Sequence, residues 1–146
     1  MKLEEEAKAF FNQHYNCTQS TVAPFAKRLG VDLDVILKLA TPFGGGMGHA
    51  GQVCGVVSGA LMAIGLANGI TAYDREKKYA CYAMAQDFQK RFRALHGELT
   101  CTGLLGLDIG DPEELAKARE LDIFHTLCPR FVGDAARITG ELLGME

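Results

Sequence analysis

The chain has 146 residues, 48% of them hydrophobic and 23% charged, the balance of an ordinary soluble globular protein long enough for one domain with a substantial core. A formal net charge of -3, with no lysine or arginine cluster, argues against a dedicated nucleic-acid binder. The acidic opening Met1-Lys2-Leu3-Glu4-Glu5-Glu6 lacks the apolar stretch of a secretory signal, and the longest apolar run, Val53 to Ala67, is short for a bilayer span, so the expectation is a cytoplasmic protein with no membrane partner.

Helix signals dominate from the start. Leu3 to Gln13 carries Leu3, Ala7 and Phe10/Phe11 at helical spacing, and His14-Tyr15-Asn16 breaks or bends it. Asn16 is a good N-cap for a helix from Cys17 to Leu29, with Pro24 as an internal irregularity and Gly30 as the stop. Asp32 or Asp34 caps a short helix to Ala40, which Thr41-Pro42 ends. A glycine-rich loop, Gly44 to Gly51, leads into a helix expected over Gln52 to Leu66. Tyr73 to Leu95 is the longest helix, with Ala80, Cys81, Met84, Phe88, Phe92 and Leu95 facing inward, and Gly97 ends it. Cys101 to Leu105 reads as one turn. Asp111-Pro112 opens a helix to Glu120, and Pro129 opens the last, to Leu143. No convincing strand is present. The sequence predicts one all-α domain over residues 1–146, with roughly five to seven helices of ordinary length.

The five cysteines form no C-x-x-C pair. Four of them, Cys17, Cys54, Cys101 and Cys128, sit where a helix should begin, next to Asn16, the glycine loop, Thr100 and Pro129 respectively. A helix N-terminus offers unpaired N–H groups and positive potential, so it favours thiolate over thiol. Taken singly, each could be a small buried hydrophobe. Taken together, four such placements suggest one redox or metal site assembled by the fold. Thiols in a reducing compartment point the same way, away from structural disulfides. Cys54, beside the loop, is the expected low-pKa thiol. Cys81 lies mid-helix on an apolar face and reads as core.

The glycine loop can present converging N–H groups to an anion, a sulfide or a thiolate, which makes Gly45, Gly46, Gly48 and His49 candidates for cofactor binding. It also contains a G-x-G-x-x-G string, but no strand precedes it, so a nucleotide reading is weak. The alternative is a tight connection whose glycines pack against other helices. His49, His14 and His125 each lie near one of the four cysteines and more readily serve as surface or capping groups than as ligands.

Asn16-Cys17, Phe43-Gly44-Gly45-Gly46, the box Cys54-Gly55-Val56-Val57-Ser58-Gly59-Ala60, Cys101 with Leu104-Leu105-Gly106, and Cys128 with Val132 and Ala135-Ala136 together resemble the C_GCAxxG_C_C family over nearly the whole chain. The box departs from the label: Val53 precedes Cys54 and Gly55 follows it, so Gly-Cys-Ala is not spelled here. The resemblance implies a small helical protein with a redox or metal role and supplies no reaction. Two versions fit: a dithiol/disulfide couple, or an iron–sulfur cluster or zinc on the four thiolates. The electron partner is unknown. A reading from another class is a helical binding or assembly module, with cysteines that only pack the core and small-residue faces that allow a homo-oligomer.

Overall fold

A computed structural model describes residues 1–146. The chain is all-α: α1 (Leu3–Asn12), α2 (Cys17–Arg28), α3 (Leu33–Ala40), a 3-10 turn (Thr41–Phe43), α4 (Gly44–Met47), α5 (Gly55–Asn68), α6 (Arg75–His96), α7 (Cys101–Leu105), α8 (Pro112–Glu120), α9 (Ile123–Thr126) and α10 (Cys128–Leu143). Seven of these (α1, α2, α3, α5, α6, α8 and α10) have eight residues or more, and the rest are short turns. The caps expected at Asn16, Asp32, Thr100 and Asp111 form: Asn16 and Gln19 make a reciprocal capping box on α2, and Asp32, Thr100 and Asp111 each accept a backbone N–H in the first turn. The longest helix starts at Arg75, two residues later than expected, because Asp74 caps it.

Helix α2 is the centre of the molecule. Thr18 and the run Ser20 to Ala26 are buried, which leaves little of its circumference free. It packs against α1, α3, α5 and α10. The approach to α5 is closest, because Gly55 and Gly59 present no side chain to it. A Cβ on Gly59 would lie 2.7 Å from the Thr18 carbonyl oxygen. Around this contact lies a contiguous core of 24 buried residues, including Phe25, Val56, Val57, Ile64, Phe88, Phe92 and Val132.

Two sequence expectations shift. The inner face of α6 holds Phe88 and Phe92 but not Ala80 or Leu95, both of which are exposed. Steps of four from Phe88 through Phe92 lead to His96, and that imidazole is buried because Asp134 on α10 stands 2.9 Å from Nε2 as a polar partner. The N-terminal half of α6 stands largely in solvent, so Cys81 is half-buried where full burial was expected. Pro24 neither delays nor splits α2, which runs unbroken past it.

Arg28 on α2 ties Glu6 of α1 and both chain ends to that helix. The network centres on Glu6. Its carboxylate meets Arg28 at 2.6 Å and Lys27 at 3.3 Å, and Arg28 also donates to the carbonyls of Met1 and Glu146. Burial alone would raise the Glu6 pKa, yet the hydrogen bonds from Arg28 and Lys27 hold it below the ordinary value. The pair therefore adds stability above the usual glutamate pKa, and that stability is lost as pH falls through the lowered folded value. Glu6→Gln is expected to cost about 1 to 2 kcal/mol at pH 7. Urea unfolding of wild type and variant at pH 7 and pH 3 should show this gap closing in acid.

Candidate functional site

Four separate segments deliver Cys17, Cys54, Cys101 and Cys128 to one cavity of about 240 Å³. Cys17 opens α2, Cys101 opens α7 and Cys128 opens α10, as the helix-start pattern predicts. Cys54 differs. The helix after the glycine loop begins at Gly55, so Cys54 is its N-cap and not a first-turn residue. Gln52 and Val53 are withheld from the helix because they pair with the segment before α7. Val53 and Thr100 form an isolated antiparallel bridge, the Cys54 N–H donates to the Leu99 carbonyl at 2.8 Å, and the Cys101 N–H donates to the Gln52 carbonyl at 2.7 Å. This short pairing is what sets Cys54 beside Cys101.

The glycine loop is a left-handed turn. Gly45, Gly46, Met47, Gly48 and His49 all have φ between 61° and 74°. Glycine adopts that region freely, whereas Met47 and His49 hold it at a cost of about 1 kcal/mol or more each. Gly46 is required for a second reason: a Cβ there would stand 2.8 Å from the Cys101 Cβ and 2.7 Å from the Gln52 nitrogen. Of the four loop residues proposed from sequence, Gly45 and His49 line the cavity, while Gly46 and Gly48 shape the turn behind it. The loop carbonyls of Gly44, Gly45 and Gly46 accept from the N–H groups of Gly48, His49, Gly51 and Gln52, which removes those donors from any anion.

One further loop donor, the Gly45 N–H, serves Cys17. Burial pushes its thiol up, and the N–H groups of Gly45, Thr18, Cys17 itself and Gly55 pull it back. The expectation that Cys54 is the low-pKa thiol is overturned. Burial drives Cys54 well above the ordinary value, the charge of Cys17 raises it further, and only the Val56 N–H opposes this. Cys101 and Cys128 are each pushed up to about 12, first by burial and then by Cys17. The dipole argument failed at Cys54 because a thiol sealed under protein loses more from desolvation than one N–H restores.

Negative charge on any one of the four sulfurs would oppose ionisation of another in all six pairings, so the four titrate as one linked site. All five cysteines are free thiols. No three cysteine, histidine or carboxylate side chains converge closely enough to hold a single metal ion. Cys81 takes no part in the cavity.

Ten of the fourteen lining residues are hydrophobic. Phe11, Arg119, Phe124 and Phe131 belong to the site, and sequence reading did not find them. For Phe11 and Phe131 the only signal was apolar spacing within helices, which core packing explains equally well, and Arg119 carried none. Phe124 lies on α9, a turn not expected from sequence, and stacks on His49 with ring centroids 6.3 Å apart.

Residues 15–142 match the family model described as "Putative redox-active protein (C_GCAxxG_C_C)". The chain belongs to this C_GCAxxG_C_C family. The matched range contains all four cavity cysteines. A protein of Archaeoglobus fulgidus, named "Uncharacterized protein", is 28% identical over 134 residues, covering 82% of this chain and 89% of its own. No solved structure matches. No helix is long and apolar enough to cross a membrane.

Where the family label has alanine after its boxed cysteine, this chain has Gly55, and a Cβ there would overlap the Cys17 sulfur and the Thr18 hydroxyl. Gly55→Ala is expected to cost about 1 to 3 kcal/mol by overpacking. Gly65→Ala, on the same helix with nothing within 4 Å, should be neutral or stabilising by about 0.5 to 1 kcal/mol. Urea unfolding of both variants checks the contrast.

Folding keeps Cys101 and Cys128 protonated above the pH at which an unfolded thiol ionises. Their contribution is intact below the ordinary value of 9.0 and is lost as pH rises toward about 12. Reduced, metal-free protein should therefore weaken above pH 9 by about 1 kcal/mol per pH unit for each thiol. A Cys101→Ala/Cys128→Ala variant, less stable at pH 8, should show a shallower decline between pH 8 and pH 10.5.

Proposed function

We propose that the protein is a one-electron redox carrier of a reducing, cytoplasmic compartment, in which Cys17, Cys54, Cys101 and Cys128 hold a polynuclear iron–sulfur cluster. The observation that carries this reading is four thiols, delivered by four separate segments, around one mostly apolar cavity. A zinc ion needs its four sulfurs about 2.3 Å from one point and performs no redox chemistry. A cluster of several irons accepts four thiolates spread around a larger body.

The protonation behaviour supports the same choice over a dithiol/disulfide couple. Thiol–disulfide exchange needs a thiolate at working pH, and burial holds these thiols protonated. Bound metal reverses that balance, because its charge deprotonates a coordinating thiol outright. When bound, such a cluster supplies one-electron transfer. The chain contributes the rest. The N–H groups around Cys17 stabilise charge on its sulfur, and the apolar wall of Val56, Leu104, Leu105 and Phe131 keeps water from the centre.

Anaerobic purification, or reconstitution with iron and sulfide, should give brown protein with absorption near ~400 nm and matching iron and sulfide contents. Replacing any of Cys17, Cys54, Cys101 or Cys128 by serine should lower the bound iron, whereas Cys81→Ser should not. A colourless, iron-free wild type whose thiols pair on mild oxidation would replace this reading with the disulfide couple. Iron-free protein whose thiols stay unpaired would leave the helical assembly module.

A further inference from the structure

Beyond the four thiols the cavity wall carries Phe11, Phe124 and Phe131, and its polar groups are unevenly spent. Besides the cysteines and Gly45, its lining holds Asn16, His49 and Arg119 as polar residues and no carboxylate. Asn16 is fully occupied: its Oδ1 caps α2 and its Nδ2 donates to the Thr41 carbonyl. Arg119, on α8, forms neither an ion pair nor a side-chain hydrogen bond with the rest of the chain. His49 is held in a left-handed conformation and stacks on Phe124, with Arg119 lining the same cavity. Both His49 and Arg119 are exposed, so they stand at the mouth, with Phe11, Phe124 and Phe131 supplying apolar surface.

We propose that the mouth of the cavity is a binding site for a small carboxylate with an apolar body, its anionic head paired with Arg119 and its body lying between Phe124 and the inner wall. Small-ligand sites have this form: a mostly apolar concavity with a few polar groups that fix orientation. A guanidinium suits a carboxylate because its parallel N–H groups match the two oxygens. The unpaired cation selects an anion, and the absence of any lining carboxylate removes the competitor that would neutralise it. Phe124 gives the body an aromatic face, and its contact with His49 joins the α9 side of the mouth to the glycine-loop side. The inference goes beyond the redox reading and does not rest on it, since it concerns only Arg119 and the apolar wall.

The test is an NMR titration of reduced, full-length protein without added metal, using hexanoate, 1-hexanol and hexylammonium as probes of equal chain length. Hexanoate should bind about tenfold more tightly than hexanol, with hexylammonium weakest, and the shifted amides should lie in Gly45 to His49, α7 and α9. Arg119→Gln should remove the preference for hexanoate over hexanol while leaving hexanol binding unchanged. Arg119→Lys should restore part of it. Phe124→Ala should weaken hexanoate and hexanol alike and keep the preference. Arg119 sits on the exposed face of α8, so these variants should fold, and circular dichroism confirms it. Equal binding of hexanoate and hexanol by wild type, a preference that survives in Arg119→Gln, or shifts confined to another surface would each overturn the proposal. Loss of iron binding in the cysteine variants bears only on the redox reading, so the two can fail separately.

Discussion

The contact between α2 and the start of α5 governs the rest of the structure. Gly55 and Gly59 remove the side chains that would hold the two helices apart, and Thr18 and Thr21 fill the space. That approach places the Cys17 sulfur against the first turn of α5, directly beside the N-cap Cys54. It also leaves Thr18 Oγ1 buried without a hydrogen-bond partner, a cost the close packing must offset. The core, the capping box on α2 and the glycine loop are all arranged around this one junction.

Two opposing effects meet at the sulfurs. Helix starts and loop amides favour negative charge, while burial opposes it more strongly. The result is asymmetric. Cys17 receives four backbone N–H groups, Cys54 receives one, and Cys101 and Cys128 receive none, so burial governs them. Sulfurs buried this way hold their protons at neutral pH, and the proposed metal centre would have to displace those protons on binding.

Much of the fold was legible because its signals are local. Asn16, Asp32, Thr100 and Asp111-Pro112 mark helix starts by hydrogen bonds made within one turn, and each start stands where those residues place it. The start of α5 was misplaced because Gln52 and Val53 are claimed by residues 99 to 101, nearly fifty positions away, and no local pattern records that pairing. Leu95 and His96 exchanged roles for a related reason: the histidine is buried only because Asp134 comes from another helix. The cysteines of the site could be read from their helix-start placement. Phe11 and Phe131 could not, since wall residues of a cavity carry the same spacing as core residues, and Arg119 and Phe124 reach it from α8 and α9 with no local pattern to mark them.

The four cysteines lie on four different elements, separated in sequence by long stretches of chain. A group that bonds to all of them therefore closes three large loops at once and fastens α2, α5, α7 and α10 together. Closing such loops restricts the unfolded chain far more than bridging neighbours in a C-x-x-C pair would. An occupant held as proposed would be a tertiary cross-link as well as a chemical centre, and its gain or loss would tie the lifetime of the folded chain to the state of its thiols.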